Sequence, residues 1–327
     1  MATGRSAHIS CREWNDQLGD LAVTLPAVPR LDVTAFVRAA ATVAAALPGP
    51  LLERLKALRT GQDGLGYLHL TDLPCAPGAL PSTPDSRPAP AERPLLAMEG
   101  WLVAICTAMG VPTAYRELYS GSLLQDIYPS PHAHPLSAQS SVTPLSLHSE
   151  MLYHRRRPDF LLLACSRADH DGAAGTTVAS ARAALPLLGA AELEILREHR
   201  LACGTDLAFR HSDGSSPQAH VLVVDGDPAD PRLAFDRELL EPGNPPARRA
   251  LQALSEALDK VTDTVRMRPG DLLVLDNTRV VHGRTAFTPR WDGHDRWLHR
   301  MYARSVPPGS AGSAAALPYR TKPFAPC

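Results

Sequence analysis

The sequence predicts a mainly β fold, either an all-β sandwich or a jelly roll, with flanking α-helices. From about Tyr115 onward, short apolar runs are separated by Gly, Pro, Asn and Asp, which is the pattern of many short strands. The chain has no internal repeat, no P-loop and no dinucleotide-binding glycine fingerprint. A regular βαβ winding is therefore not indicated.

The first third of the chain is predicted to be helical. The Ala-rich segment 33–47 follows Asp32, a possible N-cap, and a Pro-Gly-Pro sequence closes it. A second helix is predicted over 95–110, ending at Gly110. Between them, segment 74–94 is so rich in proline that neither a helix nor a central strand can persist. We interpret it as a surface loop inside one domain; a linker between two domains is the alternative.

The later elements are predicted from short apolar runs. Strands are expected at LLQDIY, FLLLAC, GTTVAS, HVLVVD, RLAFD, DLLVLDN and WLHRMYARS. Helices are expected around ARAALPLL and AAELEILREH, and around PPARRALQALSEALDKV. A single domain is expected to span residues 1–327.

The composition indicates an ordinary protein that binds a small molecule. The chain has 327 residues, 44% of them hydrophobic, and a formal net charge of −1. Nucleic acids and anionic membranes are bound through many Lys and Arg side chains, so neither is an expected partner. Six cysteines without a CxxC pair indicate reduced thiols, and no signal-peptide core or long apolar run occurs. We therefore expect a soluble, cytoplasmic protein.

The stretch LHSEMLYHRRRPD contains a candidate metal site. His148 and Glu150 are two residues apart, so on a strand both side chains would leave the same face. Downstream, His282 follows the apolar run DLLVLDN. Two imidazoles and one carboxylate leave three positions open on an octahedral ion, as in non-haem Fe(II) oxygenases. A catalytic zinc with the same ligands, or a solvated strand edge, is the alternative.

A row of basic residues follows the second histidine. Arg296, Arg300 and Tyr302 alternate onto one face of a predicted strand. A guanidinium at Arg296 could hold a carboxylate beside the metal, and Arg300 could hold a second one. The alternative is a solvated arginine row at a sheet edge. The arginine triplet 155–157 cannot face one pocket as a whole, so most of it is assigned to solvent.

These motifs lie in longer segments, which in chain order are YRELYSG, DIYPSPHAHPLS, HSEMLYHRRRPDFLLLACSRADH, TTVASARAALPLL, FDRELLEPG, GDLLVLDN and HGRTAFTPRWDGHDRWLHRMYAR. In this order they resemble the clavaminate synthase-like family of Fe(II)/2-oxoglutarate-dependent oxygenases, and the resemblance covers most of the chain. It implies a double-stranded β-helix (jelly-roll) core flanked by helices. It also implies Fe(II) as cofactor, with 2-oxoglutarate and O2 as co-substrates.

The resemblance further implies three groups of site residues. The iron ligands would be His148, Glu150 and His282. The 2-oxoglutarate contacts would be Arg296, at the distal carboxylate, and Thr176. The substrate pocket would include Arg300, Tyr302, Asp236 and Glu117.

Two positions depart from the family pattern. Ser149 stands where the family usually has threonine, but this residue need not touch iron. Ala138 stands where the family generally has serine, ten residues ahead of the first iron histidine. A lost pocket hydroxyl changes the hydrogen bonds offered to a substrate. The departure at Ala138 therefore bears on the substrate rather than on the chemistry.

The resemblance implies an enzyme of secondary metabolism, in antibiotic biosynthesis. It would oxidise an arginine-derived β-lactam precursor by hydroxylation, oxidative cyclisation or desaturation. One alternative is a hydroxylase of a free L-amino acid such as arginine or asparagine. Another is a jelly-roll binding protein without catalysis. The presence of Arg296 beside the three ligands argues against that last alternative, because a binding module needs no 2-oxoglutarate anchor.

Overall fold

The fold combines β-sheets with helices packed on their surfaces. The computed structural model describes residues 6–22, 24–26, 32–75, 80–84, 94–131, 133, 139–210, 217–305 and 319–320. Its α-helices are α1 (Asn15–Ala22), α2 (Val33–Ala45), α3 (Gly49–Arg59), α4 (Ala97–Met109), α5 (Ala181–Ala184), α6 (Ala190–Glu198) and α7 (Pro245–Lys260). Its strands are β1 (His8–Ser10), β2 (Tyr67–Thr71), β3 (Val111–Ala114), β4 (Gln125–Ile127), β5 (Leu145–His148), β6 (Phe160–Arg167), β7 (Thr176–Ser180), β8 (Arg200–Cys203), β9 (Ala219–Leu222), β10 (Val224–Asp227), β11 (Asp230–Leu233), β12 (Leu240–Glu241), β13 (Asp263–Val265), β14 (Leu272–Asp276), β15 (Val280–Arg284), β16 (Trp297–Arg304) and β17 (Tyr319–Arg320).

Two sheets form the centre of the molecule. The main sheet has the strand order β1-β2-β14-β6-β16-β3-β17, and β4 also pairs with β16. The second sheet has the order β13-β7-β15-β5. Two smaller sheets have the strand orders β12-β8-β9 and β10-β11. This arrangement confirms the prediction of a mainly β fold with flanking helices.

The main sheet is buried on both faces. In β6, Leu161 and Leu163 belong to a hydrophobic cluster that they share with the second sheet. Leu162 and Ala164 belong to another cluster, shared with α2, α3 and α4. Because successive strand residues point to opposite faces, a strand between two layers needs apolar side chains throughout. This double burial explains the uninterrupted run FLLLAC, and it places the helices behind the main sheet.

Most predicted elements are confirmed, with shifted ends. The runs LLQDIY, FLLLAC, TTVAS, DLLVLDN and WLHRMYARS correspond to β4, β6, β7, β14 and β16, whereas HVLVVD is divided between β9 and β10. The first predicted helix ends at Ala45 rather than at residue 47. The sequence did not predict α1, α3 or β2. Helix α3 begins at Gly49 after Pro48 as N-cap, so the Pro-Gly-Pro that ends one helix also starts the next.

The proline-rich segment 74–94 contains neither helix nor strand where it is described. Its middle part is fixed, because Thr83 donates its hydroxyl to the carbonyl of Asp295 at 2.6 Å. The segment therefore lies against the turn that directly precedes Arg296. The rest of it, residues 76–79 and 85–93, lies outside the described residues.

Two expectations from composition concern cysteines and membrane spans. The cysteines in the described part of the chain are free thiols, namely Cys11, Cys75, Cys106, Cys165 and Cys203. Cys327 lies outside that part. Within the described ranges, no single helix is long and apolar enough to cross a membrane; α2 and α3, bent by 110°, pass that test only as a pair.

Gly283 in β15 has almost no space for a side chain. A Cβ there would overlap the carbonyl oxygen of Leu145 and lie 2.8 Å from Thr177 Oγ1. We expect Gly283→Ala to lower the free energy of unfolding by about 1–3 kcal/mol, because the backbone of β5 would have to move. Urea denaturation measures this. Gly19→Ala in α1, where nothing lies within 4 Å, is the control and should raise stability by about 0.5–1 kcal/mol. Unchanged stability of Gly283→Ala would contradict the tight packing.

Candidate metal centre

Two histidines meet because their strands pair. His148 ends β5, and the antiparallel register places it opposite His282 of β15. Their ring centroids are 4.3 Å apart. His148 Nδ1 lies 2.9 Å from the carbonyl oxygen of Ser146, which suits a proton on Nδ1 and leaves Nε2 as a ligand atom.

Glu150 reaches the histidines from a turn. Strand β5 ends at His148, so the expectation that one strand carries both residues is wrong for Glu150. The side chain of Asn277 holds the turn instead, since it accepts from the Glu150 N–H at 2.7 Å and donates to the Glu150 carbonyl at 3.0 Å. Met151, with φ of 51°, continues the turn. The approach of Glu150 to the two histidines thus depends on its contact with Asn277, in the loop after β14.

The two carboxylate oxygens of Glu150 have different surroundings. Oε1 accepts a hydrogen bond from the Tyr302 hydroxyl at 2.6 Å and lies 3.5 Å from Arg300 Nη1. Oε2 is buried and has no hydrogen-bond partner among the described residues. It lies 3.8 Å from His148 Nε2 and 3.6 Å from His282 Nε2. Buried acceptors are normally satisfied, so a cation between these three atoms fits the site.

The charges of the three residues are strongly coupled. Burial alone would raise the pKa of Glu150, but Arg300 and the two histidines hold it well below its usual value. Burial lowers the pKa of His282 to about 4, assisted by the charge on His148. Burial also opposes protonation of His148, but Glu150 and Asp236 outweigh it and raise its pKa to about 9. The surroundings of Glu150 thus favour a positive charge beside its carboxylate, which a bound cation would supply.

Three groups of ligand-type side chains occur in the described part of the chain. In each of them the candidate ligand atoms lie within 4.8 Å of one another. They are His148, Glu150 and His282; Glu99, Asp126 and His299; and His170, Asp292 and Asp295. The group of His148, Glu150 and His282 lines a cavity, and the other two groups do not. In the second, His299 is already hydrogen-bonded through both ring nitrogens, to Asp126 at 3.0 Å and to Ser166 at 2.8 Å.

A cavity of about 380 Å³ contains the first group. It lies between the two central sheets, and its lining carries charges of both signs. The arginines of the lining are Arg210, Arg284, Arg296 and Arg300. Its acids, besides Glu150, are Asp206, Asp236 and Glu238. A ligand with both anionic and cationic groups would find partners for each.

Arg296 is a buried cation one residue before β16. It is 7% exposed, and no carboxylate among the described residues forms an ion pair with it. Burial lowers its pKa, and its guanidinium lies 5.8 Å from the centre of the Phe287 ring. Thr176, the first residue of β7, lines the same cavity. A buried guanidinium without a counter-ion among the described residues, in a cavity that a hydroxyl also lines, is suited to a carboxylate ligand.

Arg284 was not predicted, although it lines the cavity. Its guanidinium donates to the carbonyls of Ser141 and Thr143 at 3.0 and 2.9 Å, and to Ser140 Oγ at 2.9 Å. Burial, together with the charge of Arg296, lowers the pKa of Arg284 to about 10. The sequence does contain a signal for Arg284. It stands two residues after His282 on a predicted strand, and residues two apart on a strand share a face.

Asp236 lies directly beside the candidate metal ligands, since it is bridged to His148. It forms an isolated β-bridge with His148, and its Oδ1 accepts from the N–H groups of Glu238 and Leu239 at 2.7 and 3.0 Å. The preceding segment is tied to the histidine motif through Ser149, whose hydroxyl accepts from the Phe235 N–H at 3.1 Å. Ser149 therefore serves a structural contact, in agreement with the expectation that it need not touch a metal.

The remaining predicted pocket residues are placed differently. Arg300 lines the cavity, with its Nε 2.9 Å from Gln125 Oε1. Tyr302 is completely buried, and its hydroxyl points to Glu150 rather than into the cavity. Glu117 does not line the cavity, although the two residues that follow it do. Ala138 lies outside the described residues.

The sequence matches a known enzyme family. The family model described as taurine catabolism dioxygenase TauD, TfdA family, matches residues 96–302. Clavaminate synthase 2 of Streptomyces clavuligerus is 45% identical over 298 residues, which are 91% of this chain and 92% of that protein. L-asparagine oxygenase of Streptomyces coelicolor is 35% identical over 276 residues, covering 84% of this chain and 82% of that protein.

Solved structures agree with this assignment. Asparagine oxygenase in complex with Fe(II), 2S,3S-3-hydroxyasparagine and succinate has a TM-score of 0.82 and 32% identity, covering 92% of this chain and 94% of that one. The non-haem iron oxygenase OrfP with Fe and alpha-ketoglutaric acid has a TM-score of 0.78 and 25% identity, covering 95% and 99%. The jelly-roll core predicted from the sequence is thereby confirmed, as are Fe(II) as the cofactor and 2-oxoglutarate and O2 as co-substrates. The chain belongs to the TauD/TfdA family of dioxygenases, and it is an Fe(II)/2-oxoglutarate-dependent oxygenase that resembles clavaminate synthase.

Proposed function

We propose that this oxygenase holds Fe(II) through His148, Glu150 and His282. The observation that carries the proposal is the buried Oε2 of Glu150, which lacks a hydrogen-bond donor among the described residues and faces two imidazole Nε2 atoms. Two histidines and one carboxylate form the ligand set of non-haem Fe(II) oxygenases. With 2-oxoglutarate and O2, bound iron supplies the oxidation of a substrate C–H bond. The protein supplies distance, direction and exclusion of water.

We further propose that Arg296 binds the distal carboxylate of 2-oxoglutarate, assisted by Thr176. Arg296 is buried without an ion pair to any described carboxylate, so an anionic ligand would remove an electrostatic cost. Arg284 adds a second positive charge to the same cavity. Its guanidinium is held by backbone carbonyls, which fixes its position without neutralising its charge.

The substrate is proposed to carry a carboxylate and a cationic group. Arg300 lines the cavity and is assigned the substrate carboxylate, while Asp236 with Glu238 is assigned a guanidinium or amine. An arginine-derived β-lactam precursor meets these requirements, and the similarity to clavaminate synthase 2 supports it. Hydroxylation, oxidative cyclisation and desaturation are all within the reach of such a site.

A second candidate is hydroxylation of a free L-amino acid. Its support is the similarity to an L-asparagine oxygenase and to an L-lysine 3-hydroxylase, the latter 32% identical over 273 residues. The cavity of about 380 Å³ has room for a free amino acid beside 2-oxoglutarate.

We take residues 1–327 as one catalytic domain, because both large hydrophobic clusters share the strands β6, β14 and β16.

The metal assignment is testable by spectroscopy. Anaerobic protein with Fe(II) and 2-oxoglutarate should develop a visible metal-to-ligand charge-transfer band, and His148→Ala and His282→Ala should abolish it because a ligand is lost. His294→Ala, at an exposed histidine outside the candidate groups, is the control and should keep the band. A band that persists unchanged in either of the first two variants would refute the assignment.

The 2-oxoglutarate anchor is testable by titration of the same band. Arg296→Ala should raise the Kd for 2-oxoglutarate about 30-fold or more, since a buried charge pair contributes about 2 kcal/mol or more. Iron affinity, measured by competition with a chromophoric chelator, should stay unchanged. Arg290→Ala, which removes an exposed partner of Asp171, serves as the control. A parallel loss of iron binding would speak against the assigned role.

The cationic end of the substrate is testable with Asp236→Asn. The amide keeps an oxygen for the two backbone N–H groups but removes the negative charge. We expect KM for L-arginine or an arginine-derived β-lactam to rise about 10-fold, as for a lost hydrogen bond to a charged group. KM for L-asparagine should hardly change. Succinate release measures both, and an equal rise for charged and neutral substrates would disprove charge recognition by Asp236.

A further inference from the structure

We propose that Tyr302 is a positioning residue that keeps Glu150 a one-oxygen metal ligand. The inference rests on the proposed iron site and concerns how its carboxylate is oriented. Tyr302 was expected at the substrate pocket, but its hydroxyl ends on the acid itself. It would therefore act on the reaction through Glu150 and not through direct contact with the substrate.

The Glu150 carboxylate is held asymmetrically. The Tyr302 hydroxyl donates to Oε1 at 2.6 Å, a distance typical of an O–H donor to an ionised acceptor. Arg300 Nη1, at 3.5 Å, approaches the same oxygen. Both donors leave Oε2 to the two imidazoles. One oxygen of Glu150 is thus engaged by the main sheet, and the other faces the second sheet.

The Tyr302 side chain is a rigid donor. Tyr302 has no exposed surface, and in β16 it is paired with Thr113 of β3 and Leu161 of β6, so strands fix it on both sides. Its ring packs edge-on against Tyr115, with 5.6 Å between the centroids. The ring cannot rotate away without disturbing the centre of the sheet. The hydroxyl is therefore a fixed donor for Oε1.

The chemical consequence concerns the number of open positions on the ion. A carboxylate binds a metal through one oxygen or through both. Two histidines and one carboxylate oxygen leave three positions of an octahedron, whereas a two-oxygen carboxylate leaves only two. A 2-oxo acid would occupy two of these positions and leave one for O2. By holding Oε1, Tyr302 would therefore preserve the positions that 2-oxoglutarate and O2 need.

The test compares two conservative variants without any substrate. Tyr302→Phe removes the hydroxyl at Oε1. Tyr115→Phe is the matched control, because it removes the hydroxyl of the neighbouring buried tyrosine, which donates to the carbonyl of Arg156 at 2.6 Å instead. For each protein, Fe(II) affinity is measured by competition with a chelator. The Kd for 2-oxoglutarate is then measured from the charge-transfer band at saturating iron.

We expect Tyr302→Phe to raise the Kd for 2-oxoglutarate about 10-fold or more, in the range of effects seen for groups that orient metal ligands. Its Fe(II) affinity should be unchanged or higher, because a freed oxygen can join the ion. Tyr115→Phe should match the wild type in both measurements. The electronic spectrum of the Co(II)-substituted protein should change in Tyr302→Phe alone.

Other results would overturn the proposal in distinguishable ways. Normal 2-oxoglutarate binding by Tyr302→Phe, with wild-type spectra, would show that the hydroxyl does not control the carboxylate. Weaker Fe(II) binding with unchanged 2-oxoglutarate affinity would mean that Tyr302 supports the ligand without limiting it to one oxygen. Equal effects in both variants would indicate a packing role. If the wild type itself formed no charge-transfer complex, the proposed iron site would fail together with this inference.

Discussion

The buried carboxylate of Glu150 is the constraint on which the rest of the site depends. A charge removed from water is costly unless other groups replace the solvent. Tyr302 and Arg300, both on the main sheet, approach one of its oxygens, and the histidines of the second sheet approach the other. The acid therefore bridges the two sheets. The polar cavity surrounds this bridge, beside the hydrophobic cluster that the two sheets share.

The cavity around that bridge imposes a direction on any ligand. Arg296 and Arg284 bring positive charge that no described acid pairs with, whereas Asp236 and Glu238 bring negative charge near His148. Arg300 lies beside Glu150 and also lines the cavity, so it connects the group of His148, Glu150 and His282 with the side proposed for the substrate. Because opposite charges attract and like charges repel, this distribution favours anionic groups of a ligand near Arg296 and Arg284 and cationic groups near Asp236 and Glu238.

Patterns in the sequence predict the parts of this site that depend on strand geometry. Main-sheet strands are recognisable as continuous apolar runs, and period-two alternation places Arg300 and Tyr302 on one face of β16. Arg296 lies one residue before the strand, so the expectation that it shares the strand with them is wrong. The turn at Glu150 does not follow from any local pattern, because it is held by Asn277, 127 residues away in the chain. Helix α3 was missed since its start coincides with a Pro-Gly-Pro sequence that also ends a helix. Sequence patterns therefore do not predict hydrogen bonds between residues far apart in the chain. They also do not show whether a Pro-Gly-Pro sequence ends one helix, begins another, or does both.

Strand β16 connects the cavity with the layer behind the main sheet. Arg300 pairs in register with Gln125 of β4, and its neighbour His299 pairs with Asp126. His299 is fully buried and hydrogen-bonded to Asp126, on the opposite face from Arg300. A shift of β16 by one residue would turn Arg300 away from the cavity and bring His299 into it. The polar contacts of His299 therefore help to fix the register of the strand, and with it the side of the sheet on which Arg300 enters the cavity.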